Sequence, residues 1–182
     1  MKKWNLVIDV DNCNNCHMCS LACKDEFVGN NFPGYSAEMP KRGANWIDIK
    51  KKERGQESMI DVAYVPSMCQ HCDDAPCLKS SKNNAVTKRS DGIIIIDPEK
   101  SKGQKQIVDS CPHGSISWNE ELEIPQIWFF DAHLLDEGWT QPRAVKVCAT
   151  GAMWAKKIED KEMSDLVEKE NLEVLNPEFD TK

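Results

Sequence analysis

The chain has no apolar run approaching the roughly 20 residues that a membrane helix needs, and it has no excess of positive charge. Its 23 Lys and Arg against 30 Asp and Glu leave a net charge of −7, which excludes nucleic acid as an expected partner. The opening Met1-Lys2-Lys3-Trp4 shows neither the apolar core of a secretory leader nor a twin arginine. A cytoplasmic location is therefore expected, with export bound to a partner left open. Apolar residues make up 40% of the 182, a little below the usual globular share. No nucleophile–base pair, phosphate-cradling glycine loop or open zinc site is present, so the chain is not expected to catalyse a reaction alone.

What is abundant is cysteine. Nine thiols in a chain without a leader argue against a disulfide framework, and an odd count argues further. Metal ligation accounts for them better. Cys13, Cys16, Cys19 and Cys23 form C-x2-C-x2-C-x3-C after the apolar Leu6-Val7-Ile8; Cys69, Cys72 and Cys77 form C-x2-C-x4-C; Cys111 and Cys148 stand alone. Zinc sites usually pair two C-x2-C knuckles, or cysteines with histidines. The run at 13–23 instead has the bacterial ferredoxin spacing, whose fourth thiolate serves a different cluster. Eight of the nine cysteines can thus be sorted into two four-thiolate iron–sulfur sites with one left over. A fourth ligand must arrive from a distant segment, commonly as Cys-Pro. Cys111-Pro112 fits directly, and Cys148 fits by context without the proline.

Between these loops the pattern predicts a strand over 4–10 and a short helix from Cys19 to Phe27. A Gly- and Pro-containing loop over 28–45 would cover a partner surface. A hairpin is expected from 46–49 and 60–65 around a turn at 50–58, and a second from 85–88 and 92–96 around Ser90-Asp91-Gly92. Residues 99–110 read as helical, 116–118 as a strand, 132–138 as one or two helical turns, 163–170 as a polar amphipathic helix, and Pro177 onward as a tail.

Several fragments carry a family likeness: Ile8-Asp9, Asp25-Glu26, Pro33-Gly34-Tyr35, Glu53-Arg54-Gly55, His71-Cys72, Ala75-Pro76-Cys77, Asp91-Gly92-Ile93, Ile96-Asp97-Pro98-Glu99-Lys100, Cys111-Pro112, Trp118-Asn119-Glu120-Glu121 and Ala132-His133-Leu134-Leu135-Asp136. Through them the chain resembles the iron–sulfur subunits of the molybdopterin oxidoreductases, and within that family the small subunits of the pyrogallol hydroxytransferases. The resemblance implies an α+β fold of two bacterial-ferredoxin-like 4Fe-4S modules with inserted β-hairpins. It places a dicluster domain over 1–154, with the second module inserted at about 60–120, and a helical extension and tail over 155–182. In such subunits the first motif pairs with the fourth and the second with the third. Carried over, cluster A takes Cys13, Cys16, Cys19 and Cys148, and cluster B takes Cys69, Cys72, Cys77 and Cys111.

The departures from the family pattern are as informative. The second motif's fourth cysteine is replaced by Ser81, and the third motif keeps only Cys111. In the fourth motif the ligand positions read Trp128, Asp131 and Ala144, and only Cys148 survives. Four sites are thereby reduced to two 4Fe-4S clusters, and Cys23 becomes a buried thiol without a cluster. Ile127-Trp128-Phe129-Phe130 would fill the vacated space, and Trp46, Trp118 and Trp139 are expected in the core. His17 and His71, inside ligand loops, and His133 are expected to be packed or solvated rather than ligating. The resemblance implies a non-catalytic subunit that pairs with a large chain holding a molybdenum or tungsten bis-pyranopterin. That assembly would transfer a hydroxyl between phenolic rings or remove one reductively. The alternative is a free ferredoxin-like carrier, and a zinc protein is a third reading.

Overall fold

The computed structural model describes residues 1–170 apart from 44 and 58. In chain order its elements are β1 (Lys3–Ile8), α1 (Met18–Phe27), β2 (Asp48–Gln56), β3 (Met59–Ser67), α2 (Pro76–Ser80), β4 (Val86–Lys88) and β5 (Ile94–Ile96). Then follow α3 (Gln106–Asp109), β6 (Ser117–Asn119), β7 (Ile124–Gln126), α4 (Ala132–Asp136), α5 (Arg143–Lys146), β8 (Met153–Ile158) and α6 (Asp160–Lys169). The fold is α+β. Its strands form antiparallel pairs: β1 with β8, β2 with β3, β4 with β5, and β6 with β7. No described helix is long and apolar enough to cross a membrane.

β1 and β8 pair from Lys3 opposite Ile158 to Ile8 opposite Met153, joining segments far apart in sequence. The boundary expected at 154 falls inside β8, whose Met153, Ala155 and Ile158 are buried. The helical extension starts instead at α6, which buries no residue. The tail expected from Pro177 lies outside the described residues.

α1 buries Cys19, Cys23 and Phe27, spaced four apart on one face, and the Ser20 hydroxyl beside them donates to the Ile47 carbonyl at 2.7 Å. Phe27 is fully enclosed, with ring centroids 4.9 Å from Trp46, 5.0 Å from Phe129 and 5.4 Å from Phe32. The loop after α1 folds back on this core. Met39 N–H donates to the Phe27 carbonyl at 2.8 Å, and Tyr35 stacks on Phe129 at 5.9 Å. The Tyr35 hydroxyl donates to Asp136 at 2.6 Å, and Asp136 also receives both Arg89 terminal nitrogens at 2.6 and 2.7 Å.

The turn expected over 50–58 is mostly strand. β2 and β3 continue in register until Gln56 faces Met59, and Gly55 at φ +106° stands where a Cβ would run into the Met59 carbonyl. The second hairpin has the expected turn, with Gly92 at φ +91° and its N–H on the Arg89 carbonyl at 3.0 Å.

Ile93-Ile94-Ile95-Ile96 is buried on both faces. Ile93 and Ile95 pack into the core built on α1, β1 and β8; Ile94 and Ile96 pack into a second core with Ala85, Val86, Ile107, Ile116 and Ile127. A period of two along the strand sends alternate side chains to opposite cores. Each such isoleucine contributes roughly 1.5–3 kcal/mol by leaving water. These two cores position the two cysteine groups.

Candidate metal centres

The first cysteine group is presented by a tight loop between β1 and α1. The Asp9 carboxylate accepts the N–H groups of Asp11 and Asn12 at 3.0 and 3.3 Å and the Asn12 amide at 2.6 Å, which turns the chain out of β1. Asn15 and His17 then take positive φ, 61° and 58°, so the loop curls before α1 begins. From the far end of the sequence, Asp9 N–H donates to the Ala152 carbonyl at 2.7 Å, which brings Cys148 alongside. Cys13, Cys16, Cys19 and Cys148 together line one hollow, with Ile49, Pro66 and Met153 beside them. Cys16 is exposed, whereas Cys19 is buried and its thiol is pushed up by that burial.

The second group sits against the second core. β3 leads directly into Cys69, α2 carries Cys77, and α3 ends just before Cys111, whose Sγ receives Ser115 N–H at 3.4 Å. Cys69, Cys72, Cys77 and Cys111 pack around the same apolar cluster. Burial pushes the Cys77 thiol up to about 11, with the neighbouring Cys111 and Cys72 adding to it, and burial raises Cys69 further still. His71 is packed, as expected: Ile94 N–H donates to its Nδ1 at 3.0 Å, which places the ring proton on Nε2. Burial and then the Lys88 charge lower the His71 pKa to about 4, so the ring is neutral. The Lys88 ammonium donates to the carbonyls of His71 and Cys72 at 3.3 and 2.9 Å and to the Asp73 carboxylate at 2.8 Å.

Each group supplies four soft sulfur donors. Thiols that burial and mutual repulsion hold in the neutral form are those a positively charged inorganic centre would convert to thiolates. Among the described residues no three His, Cys, Asp or Glu side chains converge on a single ion. A tetrahedral zinc site would draw its sulfurs to about 2.3 Å from one centre. The first group instead lines a shared hollow, and four sulfur donors around one space are the donor set of an iron–sulfur cube.

Residues 60–158 match the 4Fe-4S dicluster domain. The chain belongs to that family. It is similar along its whole length to the pyrogallol hydroxytransferase small subunit of Pelobacter acidigallici, at 43% identity over 67% of that protein. The arsenate respiratory reductase iron–sulfur subunit of Shewanella sp. strain ANA-3 is 31% identical over 77% of this chain and 55% of its own length. A tetrathionate reductase subunit of Salmonella typhimurium is 28% identical over 87% of this chain and 59% of its own length. The chain thus spans between just over half and two thirds of the length of these relatives. This dicluster protein is built for 4Fe-4S clusters.

The positions that lack cysteine also converge in this dicluster protein. Cys23, Trp128, Asp131 and Ala144 lie in one core, each almost fully buried. The Trp128 indole N–H donates to one Asp131 oxygen at 2.7 Å, and Ala144 N–H donates to the other at 3.2 Å. Burial pushes the Asp131 carboxyl up against the pull of these two donors, and the Cys23 thiol is driven well up by burial and then by Asp131. Ile127, Trp128, Phe129 and Phe130 fill the core and form no exposed patch. His133 is buried among aromatic rings, 4.1 Å from Phe32, with Nε2 2.9 Å from the Glu26 carboxylate. Of the tryptophans, Trp46 is buried and Trp118 half-buried, but Trp139 is exposed with the Lys146 ammonium 4.8 Å over its ring.

The sequence marks the second departure by Ser81 and by a third motif reduced to Cys111, and the positions between carry a further signal. Ser101, Gln104, Ile107 and Cys111 repeat the spacing of Cys13, Cys16, Cys19 and Cys23. Ser101 and Ile107 are fully buried, and Gln104 is buried beside them. Its oxygen accepts Lys82 N–H at 2.8 Å, and its nitrogen donates to the carbonyls of Lys100 and Lys82 at 2.7 and 3.2 Å. Residues 99–105, expected to be helical, are turns that wrap this glutamine.

Proposed function

We propose that this chain is the non-catalytic iron–sulfur subunit of a molybdenum or tungsten bis-pyranopterin enzyme, carrying two 4Fe-4S clusters for electron transfer. Cys13, Cys16, Cys19 and Cys148 hold cluster A; Cys69, Cys72, Cys77 and Cys111 hold cluster B. The observation that carries the reading is the hollow that gathers Cys148 with three thiols more than 120 residues earlier in the chain. Each cluster accepts and passes on one electron when bound. The protein's part is to supply thiolates, to exclude water from Cys69 and Cys77, and to fix the distance between the two sites through the shared strand β5. In this reading the chain comprises a ferredoxin-like module with a second module inserted, followed by α6.

Full-length similarity to a pyrogallol hydroxytransferase small subunit supports a large pterin-bearing partner and a phenolic substrate. The assembly would transfer a hydroxyl between phenolic rings or remove one. Anaerobic iron and acid-labile sulfide analysis should give about eight of each per chain, from two cubes. About four or about twelve would overturn the count. Co-purification with a large molybdenum- or tungsten-containing chain supports the subunit assignment. Exposure of Cys16 favours the second reading, a free carrier; purification alone with both clusters intact and reduction by a soluble donor would select it.

A further inference from the structure

We propose that Lys88 is a positioning residue that raises the reduction potential of the cluster held by Cys69, Cys72, Cys77 and Cys111. The inference rests on the iron–sulfur reading above and adds a residue outside the thiolate sets. Lys88 ends β4 opposite Ile94, with its side chain largely covered, and its ammonium bonds the carbonyls of two consecutive residues in the ligand loop, His71 at 3.3 Å and Cys72 at 2.9 Å. The cation thus fixes the carbonyl ends of two successive peptides in the loop that presents Cys69 and Cys72.

Reduction adds one negative charge to a cluster, so a nearby fixed cation favours the reduced form. Asp73 is the counter-charge, but it is mostly exposed and is shared with Lys3 at 3.2 Å, so water screens it more than it screens Lys88. The loop of the other cluster is tied down with the opposite sign, by the Asp9 carboxylate. The two sites therefore share a ligand chemistry and differ in the charge that anchors the ligand loop.

The test is an anaerobic redox titration followed by electron paramagnetic resonance on the iron-loaded protein. The cluster B signal is identified as the one lost in Cys111→Ser. With Lys88→Met, at a fixed poise, the reduced-to-oxidised ratio of cluster B falls about tenfold, a one-electron shift of ~59 mV, while cluster A does not move. Lys88→Arg keeps the charge and holds the ratio near that of the parent. Asp73→Asn, which leaves Lys88 and every thiol in place, shifts cluster B the other way. The proposal is overturned if cluster B is unmoved in Lys88→Met, if cluster A moves equally, if Lys88→Arg behaves as Lys88→Met, or if Asp73→Asn lowers the potential. Failure of the underlying reading looks different: the parent protein would then bind no cubane iron at all.

Discussion

α1 carries two cysteines one turn apart and gives them opposite surroundings. Cys19 borders a hollow walled by three more thiols, whereas Cys23 lies beside Asp131 in a packed core. On one side the chain leaves room for a group that it does not itself provide. On the other it fills that room with the Trp128 indole and answers the indole N–H and the Ala144 N–H with one carboxylate. A cluster site that loses its ligands must be both filled and neutralised in its hydrogen bonding, because an empty cavity and an unpaired donor each cost stability. The segment 101–107 is also filled, but less completely satisfied: the buried Ser101 hydroxyl finds no hydrogen-bond partner among the described residues, whereas the glutamine beside it does. Gln104 uses its oxygen and its nitrogen to satisfy backbone groups of Lys82 and Lys100.

The sharpest way to break this contrast is to remove each α1 thiol in turn. Cys19→Ser should lower bound iron by about four per chain, the content of one cube, and Cys23→Ser should leave iron unchanged; equal losses in the two variants would erase the distinction. Next in size, Trp128→Ala should cost about 3–5 kcal/mol in urea unfolding, the range for emptying a buried aromatic site, with iron content retained. Gln104→Ala should cost about 1–3 kcal/mol, the penalty of leaving buried backbone groups unpaired.

The smallest effect concerns pH. Folding raises the Asp131 carboxyl above its ordinary value of 3.8. Its contribution is complete below that value and is lost as pH rises through the raised one. Parent and Asp131→Asn proteins compared by urea unfolding across this window should therefore diverge in slope, the parent losing up to roughly 1 kcal/mol per pH unit relative to the variant. Parallel slopes would show that the two N–H donors fully offset burial, and a parent gaining stability with pH that they outweigh it.

The cysteine loops and α1 were legible because thiol spacing and the four-residue repeat of Cys19, Cys23 and Phe27 are local patterns. The filling role of Ile127–Phe130 was legible for a related reason, since a run of large apolar residues in place of ligands has few other uses. β7 and α5 were not legible. One is a three-residue strand, Ile124–Gln126, with a proline at its centre, and the other a single turn after Pro142. Gln104 was hidden because a glutamine in a polar stretch reads as surface; only its register with the first motif marks it. The length of the β2–β3 hairpin was obscured by the charged Lys50, Lys51, Lys52, Glu53 and Arg54, which form a strand that faces water. Trp139 was misplaced because its composition suggests burial, while its position after the Gly138 turn leaves it outside.

Ile93 to Ile96 give the two cluster sites a common wall, and a wall shared by two rooms cannot be removed for one of them. Ile94 and Ile96 face the thiols of one site while Ile93 and Ile95 belong to the core of the other. Loosening either side loosens the same four backbone positions. The amide protons of β5 should therefore exchange only when the whole chain opens, and damage to one cluster should be felt at the other as a loss of protection rather than as a change of shape.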